Sequence, residues 1–525
     1  MSLINRKNHF KKNFKFNTEE DIYVERFHID GDFTYLNLKF SSWCRKKPVI
    51  YLMLIDSDNV LRLQYRSIRS KENLVVCSES DKCSIGAYPG IIKSGEWTLI
   101  AANIEKNKEK RKYDISIEAS DELKNQDIDK IGDDLWVDYS KEDKELLSLN
   151  NYDWNKSFNE EYRWYKGDFH THTILSDGKM NNELYIDTAK KMNMDFAVST
   201  EHNIVPTGWK KDDSFLIIPG TEVTMYDGHF NILGIREFPL GLKLEKIIDS
   251  YDKKISHEMQ ETIVKEIVGS CRDERALYSV NHMALEFWKW KFLNIRLDRF
   301  DTIEICNDPT YYLGAESNDR VIRMLDILWN DGYKIFGIGG SDAHILPDET
   351  YDNSKERSII GDPGTFVYCD ELTADKVIDS VRNGHVYVSR GLILDMNIKS
   401  ESSGISKSYL PGDEIEINDY AQINYSLNVR LENIENEYGR INETNMPLKV
   451  YFIENGVRTE KIIEEEGNID FTVRWDKGEY KYLSVEIRDM EDRFKGFINP
   501  VYHGHRKHEL ITFGDLFEKS NITHK

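Results

Sequence analysis

The sequence predicts an α/β sheet of alternating strands and helices, flanked on each side by a β-sandwich-like region. Three observations carry this: short alternating strands before residue 120, a strand–helix alternation between Gly167 and Gly391, and a return to short strands after Ile393. As domains these are 1–160, a β-rich region with a charged linker; 161–392, the α/β region; and 393–525, a second β-sandwich-like region.

In the first region, Phe33 to Phe40, Val49 to Leu54 and Trp97 to Asn103 read as strands between polar turns. The basic segment from Arg6 to Lys15 reads as a solvated tail. The apolar-poor stretch from Ala119 to Asn159 reads as a linker carrying one helix around Tyr139 to Leu149. In the central region the predicted strands are Phe196 to Thr200, Phe215 to Ile218, Ala276 to Val280, Thr302 to Ile305 and Lys334 to Ile338. The predicted helices are Asn181 to Met192, Leu242 to Val268, Ala315 to Trp329 and Thr373 to Asn383. Strands Gln422 to Leu427, Leu448 to Ile453, Asp470 to Trp475 and Leu483 to Asp489 make up the third region.

A chain of 525 residues accommodates several cores, and 40% hydrophobic against 31% charged residues, with mean hydropathy -0.58, excludes a disordered chain. The net charge of -22 repels phosphodiester backbones, so nucleic acid is not an expected partner. With no long apolar run and no signal-peptide pattern, no membrane partner is expected and the expected location is cytoplasmic. Six cysteines without a CxxC pair give no thiolate metal site, although Cys77 and Cys83 are spaced to pair in an exported protein.

The histidines are the informative residues. His170 and His172 sit two apart on a predicted strand, which would put both rings on one face about 6.6 Å apart. Asp177 follows in a Ser-Asp-Gly turn. His202, Glu222, His282, Asp342 and His344 follow apolar strands, with His229 seven residues after Glu222. Six of the fourteen histidines and three carboxylates thus recur at strand ends of one region, a nitrogen and oxygen donor set suited to Zn, Mn or Fe. Glu201 and Glu304, near the same strand ends, are candidates for orienting a ligand rather than binding metal. His257 reads as a surface residue and His503 to His508 as a solvated tail. The aromatic segment of Trp154, Tyr162, Trp164 and Tyr165 reads as packing.

These motifs, in order His170-Thr-His172 with Ser176-Asp-Gly178, Ser199-Thr-Glu-His202, Pro219-Gly-Thr-Glu222 with Gly228-His229, Asn281-His282 and Gly340-Ser-Asp342-Ala-His344, resemble the PHP (polymerase and histidinol phosphatase) family of metal-dependent hydrolases. Gly384-His-Val-Tyr-Val-Ser-Arg-Gly391 and the flanking β regions are similar to its CehA/McbA-like branch. The resemblance covers about Tyr165 to Gly391 and implies a distorted (β/α)7 barrel with two or three divalent metal ions at the strand ends. It implies one metal on His170, His172, Glu222 and Asp342, a second on Glu222, His229 and His282, and a third on Asp177, His202 and His344. Asp177 stands where other branches have histidine, and Gly364 where a longer side chain is expected on the substrate wall.

Such metals activate water and clamp the oxygens of an attacked phosphoryl or acyl centre. Glu222 is the expected bridging carboxylate and Asp342 the group expected to steer the attacking water or take its proton. Arg357 and Arg390 are the candidate substrate contacts for an anionic ester. The leading expectation is a phosphoesterase acting on a small phosphate ester. The alternatives are a carbamate, amide or carboxylic ester hydrolase of the same fold, and a degenerate metal-stabilised scaffold whose β-sandwiches bind a partner.

Overall fold

The computed structural model describes residues 9–17, 22–42, 50–67, 71–103, 112–122, 128–141, 146–238, 256–402, 404–432, 434–441 and 443–521. The N-terminal region is two four-stranded antiparallel sheets. One has the order 9–17, 112–120, 35–42, 71–77; the other 22–29, 95–103, 50–55, 61–67. Phe14 and Phe16 of the first meet Phe27 and Tyr23 of the second, with ring centroids 5.6 and 5.2 Å apart. The basic segment is therefore not a free tail over its described part: His9–Asn17 pairs along its length with Lys112–Ser120. Phe14 and Phe16 alternate with exposed Lys15, a period-two pattern that the flanking lysines obscure in the sequence.

The linker forms no helix among its described residues; 142–145, within the expected helix, lie outside them. It is instead fixed to the central region. Asp134–Leu135 pair with Gly208–Trp209, Trp136 stacks on Trp209 at 6.1 Å, and the Leu149 amide donates to the Arg236 carbonyl at 2.8 Å. Most of its aromatic end packs as expected: Trp164 lies against Tyr368 and Tyr387, Arg236 covers Trp154, and Tyr165 is buried, but Tyr162 is exposed.

Thirteen strands form one sheet. In chain order they are β1 (Arg163–Asp168), β2 (Phe196–Ser199), β3 (Leu216–Met225), β4 (Gly228–Leu233), β5 (Leu277–Val280), β6 (Thr302–Asn307), β7 (Phe336–Gly340), β8 (Gly364–Cys369), β9 (Val386–Ser389), β10 (Leu448–Glu454), β11 (Val457–Ile463), β12 (Lys481–Arg488) and β13 (Phe494–His503). The sheet order is β7-β6-β5-β4-β3-β2-β1-β8-β9-β13-β12-β10-β11. It curls until β7 meets β8, where Thr365 Oγ1 bonds both the amide and the carbonyl of Gly339 at 2.9 and 2.8 Å. Beyond these strands a Thr171–Ala343 bridge ties the ends of β1 and β7.

Regular (β/α)7 alternation is not kept. β1-β2-β3 and β5-β6-β7 are parallel, but β3-β4-β5 and β1-β8-β9 are antiparallel. The cause is local: β3 runs on past the expected Ile218 to Met225 and turns directly into β4 at Tyr226-Asp227, leaving no room for a helix. Four described helices belong to this region: α1 (Asn182–Lys191), α2 (His257–Ile267), α3 (Gly314–Asn330) and α4 (Ala374–Arg382). The Asn181, Ser256 and Thr373 side chains accept the orphan amides of Leu184, Met259 and Lys376 at the starts of α1, α2 and α4. Most of the long helix expected from Leu242 lies outside the described residues; α2 is its last part. His257 is partly exposed, as expected, though its ring stacks on Phe292 and contacts Asp227 at 2.9 Å.

The sheet does not stop at the end of the central region, because β9 pairs with β13 through Tyr387–Ser389 and Gly496–Ile498. A separate four-stranded sheet, 405–409, 392–402, 420–431, 467–476, covers this extension. Phe452 packs between Tyr425 and Phe471 at 5.7 and 4.6 Å. The histidine-rich end is not a solvated tail. His503 is buried with Nδ1 on the Ile415 carbonyl at 2.7 Å, and His508 stacks on Tyr333 at 3.9 Å.

Asp326 on α3 faces Arg458 of β11 at 3.9 Å, and its Oδ1 is buried without a hydrogen-bond partner. Burial pushes its carboxyl up to about 7. Because the folded-state value lies above the unfolded one, the stability is full below the ordinary carboxylate range and is lost as pH rises through about 7. Asp326→Asn is therefore expected to melt progressively higher than the wild type from pH 5 to pH 8 in thermal scans. Parallel melting curves would contradict this.

Candidate metal centre

The nine expected donors converge at one end of the curled sheet. His170 and His172 lie just beyond β1 rather than within it, on either side of the Thr171–Ala343 bridge, with ring centroids 5.1 Å apart. Glu222 is carried by β3 and His229 by the next strand of the hairpin, β4, where His229 pairs with Thr224, two residues beyond Glu222. His202 follows β2 and bridges to Glu222; His282 follows β5, and Asp342 and His344 follow β7. His282 and Asp342 hold φ of 28° and 51°. This left-handed backbone is costly for a histidine and re-aims both side chains into the cluster.

Glu222 is the hub. Its carboxylate oxygens lie 3.5 Å from His170 Nε2, 3.7 Å from His172 Nε2, 2.5 Å from His202 Nδ1, 3.1 Å from His229 Nδ1 and 3.5 Å from His282 Nε2. Asp342 Oδ1 lies 3.3 Å from His170 Nε2 and 3.1 Å from His172 Nε2. Asp177 Oδ1 lies 3.3 Å from both His202 Nε2 and His344 Nε2. Three sets have donor atoms close enough to share an ion: His170, His172 and Asp342; Glu222, His229 and His282; and His172, Asp177, His202 and His344. The first differs from expectation in lacking Glu222, and the last in sharing His172.

The supporting contacts aim these donors. His170 Nδ1 bonds Glu304 Oε1 at 3.0 Å, and the other Glu304 oxygen accepts the His282 amide at 3.0 Å, so the ring presents Nε2 inward. Glu201 accepts the Thr173 amide at 3.0 Å and the Thr173 and Ser176 hydroxyls, fixing the turn that carries Asp177. Burial pushes Glu201 up to about 7. Both expected orienting residues therefore contact the donor framework.

The chemistry of the set fits divalent cations. His170 Nε2, both ring nitrogens of His172, Asp177 Oδ1, His282 Nδ1 and Asp342 Oδ1 are buried and have no hydrogen-bond partner. Burial pushes His172 down to about 3, with His344 and His202 adding to the effect, and His229 down to about 4. These rings are neutral donors at physiological pH. Against the opposing effect of burial, Asp177 and Asp342 raise His344 to about 10, so the cluster draws in positive charge that a metal ion supplies in place of a proton.

The set opens into a cavity of about 460 Å³ walled by Tyr226, Leu285, Phe287, Trp288, Tyr311 and Tyr351. One residue that sequence reasoning missed stands here. Arg66, at the end of the N-terminal strand 61–67, reaches in and pairs through Nη2 with Asp177 Oδ2 at 2.9 Å, while its Nε and Nη1 are buried without partners. The N-terminal sheet is docked for this by Tyr51, which donates to the Asn203 carbonyl at 2.6 Å, and by two hydrogen bonds between Gln64 and the Val205 backbone. Asn281 and Asn307 were also missed; their amides donate to Glu222 and Asp342 at 3.0 and 3.3 Å.

Arg357 and Arg390, the expected substrate contacts, do not line this cavity. Arg390 is gripped by Asp362 through Nε and Nη2 at 2.8 and 2.9 Å, which turns it away from the donors. Gly364 is not a cavity wall either: a Cβ there would sit 2.7 Å from Lys166 Cε, and the glycine makes room for the buried Lys166–Glu432 ion pair.

No family model and no curated protein matches the sequence. Among solved structures the chain is similar to a two-domain protein containing a predicted PHP-like metal-dependent phosphoesterase from Bacteroides vulgatus. The identity is 16% and the TM-score 0.32, over 65% of this chain and 96% of that one.

Phe287 and Trp288 are 58% and 37% exposed at the mouth of the cavity. Trp288→Ala is expected to weaken binding of an aryl ligand in this cavity roughly tenfold, because it removes apolar contact area at the mouth. Unchanged affinity would show that such a ligand does not reach this wall. Among the described residues no helix is long and apolar enough to cross a membrane.

Proposed function

We propose that this protein is a metal-dependent hydrolase, and specifically a phosphoesterase acting on a small phosphate ester. The observation that carries the reading is the convergence of nine nitrogen and oxygen donors on one cavity, with buried donor atoms left unpaired. Two or three Zn, Mn or Fe ions, when bound, would supply an activated water and a Lewis-acid clamp on the ester. His170, His172, Asp342, Glu222, His229 and His282 would hold two of them, and Asp177, His202 and His344 the third. Glu222 would bridge, and Asp342 would orient the attacking water and accept its proton. Asn307 holds the Asp342 carboxylate for that role, and the aromatic wall limits water around the ester. A complete donor set speaks against the degenerate-scaffold reading.

A second reading, hydrolysis of a carbamate, amide or carboxylic ester, is favoured by the cavity lining: its single basic side chain besides histidines, Arg66, is already paired with Asp177. One experiment tests both. Metal content is measured on protein purified without chelator, and turnover is measured on matched aryl phosphates, carbamates and esters before and after chelation. Two or three equivalents with chelator-sensitive phosphatase activity support the proposal. Chelator-sensitive carbamate or ester hydrolysis alone selects the second reading. Less than half an equivalent, not recovered on adding metal, sinks both.

A further inference from the structure

Between residues 355–362 and the C-terminal strands lies a second cavity of about 440 Å³, lined by Lys355, Arg357, Arg390, Arg493 and Lys495. None of its lining residues belongs to the metal-ligand sets. Five cations around one cavity run against the net charge of -22. Of the three carboxylates that also line it, Arg390 holds Asp362 in a fork and reaches Glu356 at 2.8 Å, and Glu443 is exposed. Arg493 is likewise held, by Asp489 and Glu491 at 2.6 and 2.9 Å.

Three cations remain without a carboxylate among the described residues: Lys355, which is exposed, and two that are wholly or half-buried. Lys495 is buried, yet its ammonium reaches only neutral oxygens, Thr444 Oγ1 at 2.9 Å and the Glu443 carbonyl at 3.4 Å. Arg357 makes no ion pair, and its Nη1 is buried without a partner. A buried ammonium without a direct ion pair is disfavoured even with Asp489 and Asp362 nearby, and a guanidinium with an open N–H matches the oxygens of a tetrahedral anion.

We propose that this cavity is a second ligand site, for a small phosphorylated anion whose oxygens accept from Arg357 and Lys495. Tyr438 and Phe494, also on its wall, flank the organic part of the ligand. The site is independent of the hydrolytic reading and gives the C-terminal strands a role in recognition.

The test is calorimetric titration of the full-length protein with inorganic phosphate, in the wild type, Glu222→Gln, Arg357→Gln and Lys495→Gln. A metal centre binds phosphate as well, and Glu222→Gln removes that contribution. The expected result is a phosphate site that persists in Glu222→Gln and weakens about tenfold or more in Arg357→Gln and Lys495→Gln, with the metal content of both unchanged. Arg357 is only half-buried, so its variant decides the question if Lys495→Gln fails to fold. The assignment is overturned by no phosphate binding in the wild type, by loss of all binding in Glu222→Gln, or by undiminished binding in Arg357→Gln.

Discussion

Glu222→Gln is expected to abolish turnover, lowering kcat/KM by about a thousandfold or more, and to lower the metal bound per chain. The substitution keeps the volume of the side chain, so the effect reports charge and not packing. Five histidines lie within 3.7 Å of this carboxylate, and among the described residues no other contacts as many members of the cluster. A neutral amide gives one weak oxygen donor where the carboxylate gives two charged ones, so it serves poorly as a bridge between two ions. Mass spectrometry of bound metal beside steady-state kinetics checks this. Full metal content with activity within about tenfold of the wild type would remove Glu222 from the centre.

Arg66→Ala is expected to lower kcat/KM by about ten- to a hundredfold, the loss of one charge-assisted hydrogen bond to a ligand carboxylate. Arg66 acts as a positioning residue. By holding Asp177 Oδ2 at 2.9 Å it leaves Oδ1 facing His202 and His344, each at 3.3 Å. Without it the Asp177 side chain regains rotamer freedom, and the third set of donors loses its arrangement. The readout that separates this from a merely structural effect is metal stoichiometry, which should fall by up to one equivalent while the other two sets stay filled. The visible spectrum of cobalt-substituted protein should lose the contribution of one site. Arg66→Lys should recover part of the effect, because it restores the charge but not the planar fork. Unchanged stoichiometry together with unchanged kcat/KM would remove the role.

The candidate donors are legible in the sequence because several of them follow apolar strands. His202, His282, Asp342 and His344 stand at those strand ends in the structure. Glu222 was found for a partly mistaken reason. The sequence reads it as following a strand ending at Ile218, whereas it sits inside the longer β3, whose Pro219-Gly220 hides its continuation. Arg66 was not legible. It lies at the end of an ordinary alternating strand, and its role arises only from docking one region on another through Tyr51 and Gln64. Arg390 does not reach the site for the converse reason: a guanidinium near a motif in the chain says nothing of which carboxylate captures it, here Asp362, and Arg357 lines the other cavity. The strand at His9–Asn17 was lost because its lysines mask the alternation of its phenylalanines.

The pairing of β9 with β13 has a consequence for how the chain holds together. Backbone hydrogen bonds run without a break from the strands that bear the metal ligands into those near the C-terminus, so these parts should unfold in one cooperative transition. Severing the chain after residue 392 would strip β9 of its neighbour and leave a bare strand margin of unpaired amides and carbonyls. Such a margin invites edge-to-edge association between molecules. The C-terminal strands would thus act as a guard against aggregation for the part of the protein that carries the donor cluster.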